Sequence, residues 1–405
     1  MPNVILFDDD IREHLLPLTF TRPVCEIRVG ILTIKEKWEK RLNAQISYIT
    51  QDYLINKYPI IIEDDNFVIN GSVLPSPELV ELIKQLEINE ALLEDGELIA
   101  ARLNEVQFDR LISNDEIDEL TGFEIKDTPY MRVQQLWDIF KLNGQAIQED
   151  FDLLTKNRKS KHISNTNRLI NPKNIFVEEG AKVECAILNA TNGPIYIGKN
   201  AEVMEGAIIR GGFALCEGAK IKMGAKIYGP TTIGPKSKAG GEINNSVIFG
   251  NSNKGHDGYM GNSILGEWCN LGADTNTSNL KNNYSEVKLW NYTTERFVPT
   301  GQTFCGLVMG DHSKCGINTM FNTGTVVGVF ANIFGAGYPR NFIPSFSWGG
   351  SKGLSTYKTT KAFEVAEVVL KRRNKEFTET EKNILEKIFA DTSKHRRWEK
   401  ATIES

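Results

Sequence analysis

The feature that most constrains the fold of this chain is a six-residue repeat between Ile197 and Ala239. An aliphatic or small residue returns at every sixth position, and a mostly small residue follows four positions after each one. A period of six matches neither the 3.6 residues of a helical turn nor the alternation of a strand. It is typical of hexapeptide β-helices, in which three short faces complete one turn and inward residues stack about 4.8 Å apart. The aliphatic positions are Ile197, Val203, Ile209, Leu215, Ile221, Ile227, Ile233 and Ala239, and the small ones are Ala201, Ala207, Phe213, Ala219, Ala225, Thr231 and Ser237.

The composition is that of a globular protein of two or three domains, with 405 residues of which 40% are hydrophobic and 24% charged. A formal net charge of −5 argues against a general nucleic-acid binder. The sequence contains no run of about 18 apolar residues and no signal-peptide pattern at its start, so we predict no membrane span and a cytoplasmic location. Six scattered cysteines without a C-x-x-C pair predict small apolar packing residues and no metal site.

Two segments near the start resemble the sugar-phosphate nucleotidyltransferases. The apolar run Val4–Phe7 precedes a loop that ends in Thr21-Arg22-Pro23, and Phe67–Leu74 resembles the strand that in this superfamily carries an Mg²⁺-binding aspartate. Both segments depart from the pattern. Three aspartates, Asp8–Asp10, replace the glycines that cradle phosphates, and carboxylates repel a triphosphate. Ser72 stands in the place of the metal-binding aspartate.

The expected first domain is therefore a reduced, diverged α/β nucleotidyltransferase-like domain. Its candidate nucleotide-binding residues are Arg12, Arg22 and Arg28, for UTP or another nucleoside triphosphate, and Mg²⁺ is expected only if this domain is active. A helix is predicted over Gln134–Asn143. The predicted segments are the α/β domain over 1–150, a basic, polar linker over 151–172, the β-helix over 173–340 and a C-terminal helical segment over 341–405, whose helices at 361–373 and 379–389 protect the open end of the solenoid.

The six-residue repeat is interrupted twice. Residues 250–261 carry no aliphatic residue at the expected inward place, and residues 281–302 form a long excursion. Interruptions of a solenoid repeat map to loops on one face, which is often the binding face. We expect both interruptions to lie near the same chemistry.

The first interruption and the segment after it, Gly255–Gly261 and Ile264–Ala273, resemble the acetyltransferase motif of the bifunctional UDP-N-acetylglucosamine diphosphorylase and glucosamine-1-phosphate N-acetyltransferase family. The resemblance implies a left-handed β-helix and a homotrimer with shared active sites. Carried over by position, it implies His256 as general base, Tyr259 and Asn270 as sugar-phosphate ligands, and Ala273 beside the acetyl group.

One family residue is missing, because the expected phosphate-binding lysine falls on Asn244. Lys226 and Lys288 are the candidates to supply substrate-binding charge in its place, with Lys254 a further possibility. Ile317 and Arg340 are assigned to acetyl-CoA binding. His312 lies in a regular hexad and is interpreted as a solvated or interface residue.

The chemistry gives its own reason for a histidine at this place. An amino sugar must lose a proton before its nitrogen attacks a thioester, and imidazole is the side chain that accepts protons near neutral pH. The leading hypothesis is an acetyltransferase that uses acetyl-CoA and glucosamine-1-phosphate. The alternatives are a sugar-1-phosphate nucleotidyltransferase with the β-helix as a trimerisation scaffold, and a non-catalytic scaffold or regulatory binder.

Overall fold

The computed structural model describes residues 3–112, 120–126 and 128–401. The chain divides into two compact units. The first unit extends to Gln135 without Leu16–Phe20 and Arg28–Ile31, and the second contains these two segments and the chain from Leu136 onward. The division thus falls earlier than the predicted boundary at residue 150. The α-helices are α1 (Ile11–His14), α2 (Ile34–Leu42), α3 (Pro77–Gln85), α4 (Glu105–Ile112), α5 (Asp138–Thr155), α6 (Thr359–Lys371), α7 (Glu379–Asp391) and α8 (Arg397–Ala401).

The first unit is built on a mixed β-sheet. Its first three strands in sheet order are parallel, and the next two form an antiparallel hairpin. The apolar run Val4–Phe7 lies in one of the parallel strands of this sheet. In sheet order the strands are Ile46–Ile49, Asn3–Phe7, Asn66–Asn70, Glu97–Leu103, Glu90–Glu94 and Thr121–Glu124, and Val73–Leu74 pairs with Met131–Arg132 in a separate ladder.

Helix α3 of the first unit begins as its sequence predicts. The Ser76 hydroxyl accepts a hydrogen bond from the Leu79 amide at 3.1 Å, and Pro77 occupies the first turn. Both features are favoured at helix starts, because the cap satisfies an orphan amide and proline has no amide to satisfy. The buried side chains Leu79, Val80 and Ile83 then face the core at helical spacing.

The second unit is a parallel β-helix with three sheets. The first sheet contains Ile175–Val177, Ile195–Ile197, Phe213–Leu215, Thr231–Ile233, Val247–Ile248, Ile264–Leu265, Val308–Met309, Val326–Val327 and Phe342–Ile343. The second contains Lys182–Val183, Glu202–Val203, Lys220–Ile221, Lys238–Ala239, Asn253–Lys254, Asn270–Leu271, Lys314–Cys315, Asn332–Ile333, Ser347–Gly350 and Gly353–Thr356. The third contains Arg168–Ile170, Ile187–Asn189, Ile208–Arg210, Lys226–Tyr228, Glu242–Asn244, Tyr259–Gly261, Asn276–Thr277 and Met320–Phe321.

The six-residue repeat forms the core of this unit. Each predicted aliphatic position from Ile197 to Ala239 is buried, and so is each predicted small position from Ala201 to Ser237. Full burial of an aliphatic side chain contributes about 1.5–3 kcal/mol, which explains why the inward position tolerates so little variation. The predicted fold class is confirmed as an α/β unit, a parallel hexapeptide-repeat β-helix of about ten turns and C-terminal helices.

The ends of the β-helix differ from the predicted limits of 173 and 340. Its first strand, Arg168–Ile170, lies inside the predicted linker and pairs with Ile187–Asn189, and strands continue to Thr356. Helix α5 replaces the predicted helix at 134–143 and runs into the linker, because apolar side chains recur at helical spacing as far as Phe151.

Helix α5 also fixes a short segment of the second unit. The Asn143 and Asp150 side chains accept hydrogen bonds from the amides of Gly30 and Ile31 at 2.8 and 2.7 Å. Gly30 has a φ of +84°, and a Cβ there would lie 2.5 Å from an Asp150 oxygen, so the position requires glycine.

One corner of the β-helix carries stacked aromatic rings. Trp268, His312, Phe330 and Phe346 all have φ between 55° and 62°, the left-handed conformation that turns the corner. Phe330 stacks on His312 at 4.5 Å and on Phe346 at 5.6 Å. Helices α6 and α7 pack on this column through edge-on contacts of Phe363 and Phe389. His312 is therefore part of the aromatic column, which corrects its interpretation as a solvated residue.

The hairpin insertion consists of Lys288–Asn291 and Arg296–Pro299, two antiparallel strands within the predicted excursion 281–302. Across the described ranges, no helix has the length and apolar character needed to cross a membrane.

Candidate functional site

A cavity of about 810 Å³ lies against the outward face of the second sheet. We call it the His256 cavity. His256, Asn270, Ala273 and Ile317 line it, as do Val369, Arg372 and Arg373 around the end of α6. The structure thus brings together four of the residues predicted from sequence.

The floor of the cavity follows from the register of the second sheet. Lys238 lies beside Asn253, Asn253 beside Asn270, and Asn270 beside Lys314. In each of these strands the neighbouring residue points inward, so the named side chain points out of the β-helix. Residues that lie far apart along the chain therefore form one continuous row, and Asn253 donates a hydrogen bond to Asn270 at 3.4 Å.

The charge around the His256 cavity has one sign. Lys222, Lys238, Lys314, Arg372 and Arg373 line it, and no aspartate or glutamate does so among the described residues. Desolvation lowers the pKa of Lys238, and the positive charges of Arg373, Lys222, Lys220 and Arg372 lower it further. Desolvation lowers the pKa of Lys314 to about 8. Uncompensated positive charge in a partly desolvated cavity favours an anionic ligand.

Two neutral side chains add hydrogen-bonding capacity. The side-chain oxygens of Asn251 and Asn253 are buried in the wall of the cavity and accept no hydrogen bond from the described residues. Buried polar atoms without a partner are uncommon and costly in proteins. These oxygens are suited to accept hydrogen bonds from hydroxyl or amino groups of a bound molecule.

The loop that carries His256 is held from inside the β-helix. Lys254 is 1% exposed and occupies the inward place where the repeat has an aliphatic residue. Its ammonium donates to the carbonyl oxygens of Gly240, His256 and Asp257. Desolvation lowers the pKa of Lys254 to about 8. The predicted missing aliphatic residue is thus a lysine that fixes the backbone of the loop, and the His256 side chain itself is exposed.

Two predicted substrate residues lie on the third sheet. Lys226 pairs with Glu242 at 3.6 Å. The Tyr259 hydroxyl accepts a hydrogen bond from Asn279 at 3.0 Å, and burial raises the pKa of Tyr259. Neither side chain is part of the lining of the His256 cavity, because their strands form a different face of the β-helix.

Lys288 and Arg340 line a second cavity of about 740 Å³. The hairpin insertion contributes to this cavity, whereas the first interruption contributes Gly255 and His256 to the His256 cavity. The expectation that both interruptions lie near the same chemistry is therefore wrong, since each borders a separate cavity.

In the first unit, Ser72, which stands in the place of the metal-binding aspartate, belongs to a hydrogen-bond network. Arg132 donates to Asp9 at 3.0 Å and to Ser72 at 3.0 Å. Asn70 donates to Asp9 at 2.7 Å and accepts from Ser72 at 2.6 Å. The carboxylate at this place is neutralised by a guanidinium, which leaves little attraction for a divalent cation.

A grouping of histidine, cysteine, aspartate and glutamate side chains that could hold a metal ion is absent from the described residues. Asp65, which lies just before the strand Asn66–Asn70, receives two hydrogen bonds from Arg102, which lower its pKa. The residues present do not fit Mg²⁺ in this arrangement.

The three candidate nucleotide-binding arginines are buried and engaged within the protein. Arg12 donates to the Tyr53 hydroxyl at 2.7 Å and lies 3.6 Å from Asp8. Arg22 donates to Thr21 at 3.5 Å. Arg28 donates to the Ile31 carbonyl and belongs to the second unit, whereas the other two belong to the first.

Residues 4–159 match the profile of the sugar nucleotidyl transferase family. A bifunctional sugar-1-phosphate nucleotidylyltransferase/acetyltransferase of Sulfurisphaera tokodaii is 29% identical over 160 residues, 39% of this chain and 37% of that protein. The bifunctional protein GlmU of Methanocaldococcus jannaschii is 38% identical over 87 residues, 22% of this chain and 21% of that protein.

The chain resembles the GlmU-type bifunctional proteins. The alignments span 37% and 21% of the length of these two curated relatives. Among solved structures, the polySia specific acetyltransferase NeuO has a TM-score of 0.25 and 13% identity, covering 47% of this chain and 79% of that one.

Proposed function

We propose that the β-helix transfers an acetyl group from acetyl-CoA to the amine of an amino-sugar 1-phosphate such as glucosamine-1-phosphate. The observation that carries this proposal is the meeting of His256, Asn270, five cationic side chains and two unpartnered asparagine oxygens in one cavity. Both substrates carry phosphate groups, and the sugar also carries hydroxyl donors. The GlmU-type resemblance supports the same reaction class.

In this mechanism His256 accepts the proton that the amine loses as its nitrogen attacks the thioester carbonyl. The new C–N bond forms, the tetrahedral intermediate collapses with cleavage of the C–S bond, and the imidazolium returns the proton to the departing thiolate. Lys254 is a positioning residue, because its ammonium holds the backbone of the His256 loop. Asn251 and Asn253 orient the sugar hydroxyls.

The proposal assigns the anionic groups to the cations of the cavity. Lys222, Lys238, Arg372 and Arg373 bind phosphates. Ala273 lies beside the acetyl group, as the resemblance implies, and Ile317 contacts the acyl-CoA. The sugar-phosphate roles given to Tyr259 and Lys226 are less suited to this cavity, because both side chains lie on the third sheet. A homotrimer is proposed on the resemblance alone, and light scattering of the full chain tests it.

The test is an acetyl-CoA assay with glucosamine-1-phosphate as acceptor. Replacing His256 by alanine removes the base and is expected to lower kcat about 10²-fold or more. His162→Ala is the matched control, since His162 is exposed in the segment before the β-helix. Unchanged turnover in His256→Ala would refute the mechanism, and the lack of any acetyl-CoA binding in calorimetry would favour a scaffold.

Nucleotidyl transfer by the first unit is the second candidate function, and the match of residues 4–159 to the sugar nucleotidyl transferase family favours it. The pairing of Asp9 with Arg132 and the serine at position 72 weigh against it. Release of pyrophosphate from UTP and a sugar 1-phosphate, lost in Arg22→Ala, would support this activity.

A further inference from the structure

The second cavity of the β-helix unit has an aromatic wall. We call it the Trp290 cavity; its volume is about 740 Å³, within the range of small-molecule sites. The hairpin insertion contributes Trp290 and Phe297, the last strand of the first sheet contributes Phe342, and α8 contributes Trp398. Trp290 stacks on Phe342 at 4.1 Å with an angle of 10° between the rings. Phe297 is 40% exposed, so its ring is available to a planar ligand.

Further edge-on ring contacts hold the aromatic wall in place. His395 lies edge-on to Trp290 at 6.1 Å and to Phe342 at 5.6 Å, and Tyr292 lies edge-on to Phe342 at 5.6 Å. The hairpin insertion is also tied to the C-terminal segment, because Glu295 at its turn pairs with Lys394 at 2.6 Å. Edge-to-face contacts of this kind hold rings in fixed orientations, so the wall is pre-formed.

The charge around this cavity is positive. Lys281, Lys288, Arg340 and Arg397 line it, and no acidic side chain of the described residues does. The Lys281 ammonium is held by the Glu286 carbonyl at 2.7 Å. Lys288 and Arg340 are exposed and form no ion pair within the described part of the chain. Their charges are available to a ligand.

One polar atom of the wall has no partner. Trp290 is 9% exposed, and its indole N–H is buried. This N–H donates to no acceptor among the described residues. A buried donor without an acceptor destabilises the folded state. A ligand that supplies an acceptor beside a planar ring would remove this cost.

We infer that the Trp290 cavity binds a nucleoside phosphate. The nucleobase stacks on the exposed aromatic surface, a ring nitrogen or carbonyl oxygen of the base accepts from the Trp290 indole, and the phosphates contact Lys288 and Arg340. The ligand is either a free nucleotide or the nucleotide end of coenzyme A, which share this chemistry. The inference does not depend on acetyl transfer in the His256 cavity, because no residue lines both cavities.

The test is calorimetric titration of the full chain with ADP, UDP, coenzyme A, adenosine and inorganic pyrophosphate. Ligands that carry both a base and phosphates are expected to bind about tenfold more tightly than adenosine or pyrophosphate alone. Lys288→Ala and Arg340→Ala are each expected to weaken this binding about tenfold. Arg296→Ala is the matched control, because Arg296 is an exposed cation on the same hairpin outside the cavity lining.

The outcomes separate the two sources of the ligand. Binding of ADP or UDP that Arg340→Ala weakens supports a site for free nucleotides. Binding of coenzyme A alone, again weakened by Arg340→Ala, supports a site for its nucleotide end. Binding of ADP or UDP that Lys238→Ala abolishes and Arg340→Ala leaves intact would place the nucleotide in the His256 cavity and overturn the inference. An absence of ADP and UDP binding, together with coenzyme A binding that Arg340→Ala leaves unchanged, would overturn it as well, whatever the acetyl transfer assay shows.

Discussion

The two units of this protein treat charged side chains in opposite ways. In the first unit, Arg132 is only 8% exposed at its side chain and is shared between Asp9 and Glu97. In the β-helix, Lys238 and Arg373 face a cavity that lacks acidic side chains among the described residues, and their charges repel one another. The charge of Arg132 is neutralised by carboxylates of the same unit. The cations of the cavity have no acidic side chain beside them in its lining among the described residues.

A buried charge can therefore affect the stability of the free protein in two ways. A charge whose partners are supplied by the same fold stabilises that fold or specifies its geometry. A group of like charges against a cavity costs stability in the free protein, and a bound anion removes that cost. The family resemblance predicts a site in each half of the chain. Among the described residues, the electrostatics favour an anionic ligand in the β-helix.

Reversing a charge in the His256 cavity is expected to have the largest effect. Lys238→Glu should weaken coenzyme A binding about hundredfold, because it replaces an attraction by a repulsion in a partly desolvated place. Calorimetry measures the change in Kd. The matched control is Lys220→Glu, since Lys220 lies beside Lys238 in the same sheet but pairs with Glu202 and stays outside the cavity lining. If both variants lose the same affinity for coenzyme A, the effect comes from the overall positive charge of the sheet and not from contact with Lys238.

Removing a charge from the first unit should act on stability and not on acetyl transfer. Arg132→Ala leaves Asp9 without its guanidinium and is expected to lower the free energy of unfolding by about 2 kcal/mol. Urea denaturation followed by circular dichroism measures this change. Lys84→Ala is the control, because its pair with Glu81 is exposed and contributes less than about 1 kcal/mol. A stable Arg132→Ala protein that has lost acetyl transfer would contradict the division of roles.

Asp8 offers a smaller test of the same unit. Burial raises its pKa from 3.8 to about 6, despite hydrogen bonds from Thr50 and Val24 and the charge of Arg12. A raised folded pKa contributes stability below the unfolded value of 3.8, and this contribution is lost as the pH rises through 6. Asp8→Asn should therefore stabilise the protein by about 1–2 kcal/mol at pH 7 and by little at pH 4. Asp10→Asn, at an exposed neighbour, should show no such difference between the two pH values.

The β-helix was predictable from sequence because its core allows few residue types. Positions such as Ile209 and Ile227 are buried in a narrow interior, so the repeat must reappear in the sequence. Outward positions carry no such constraint, which is why Lys222, Lys238 and Lys314 were missed. One signal was available: Lys220 and Lys238 are eighteen residues apart, one full turn, whereas Lys226 falls on the next face. Residues eighteen positions apart lie on the same face of the β-helix. This spacing distinguishes the face of the cavity from the face that bears Lys226 and Tyr259.

Other parts of the site depend on contacts that no local pattern encodes. Arg372 and Arg373 reach the cavity because the C-terminal helices pack on the aromatic corner formed by residues such as Phe330. The inward Lys254 was read as a break in the repeat, since its stabilising partners are backbone carbonyls and therefore invisible in the sequence. In the first unit, Arg132 lies far along the chain from Asp9, so the neutralised metal position could not be predicted from Ser72 alone.

The pH dependence of ligand binding provides the smallest and most specific test of the cavity. Desolvation lowers the pKa of Lys314 to about 8, while its ammonium donates to the His312 carbonyl at 2.9 Å and lies over the Phe330 ring. Coenzyme A binding should therefore weaken about threefold to fivefold between pH 7 and pH 9, as this cation loses its proton. Lys314→Met should bind more weakly at pH 7 and show a smaller change with pH. Deprotonation of Lys314 does not itself favour unfolding, because a lysine with a lowered folded pKa destabilises the fold below pH 8 and this cost disappears as the pH rises towards 10.5. A wild-type affinity that stays constant from pH 7 to pH 9 would show that Lys314 does not contact the anion, and would leave Lys222, Lys238, Arg372 and Arg373 as its binding residues.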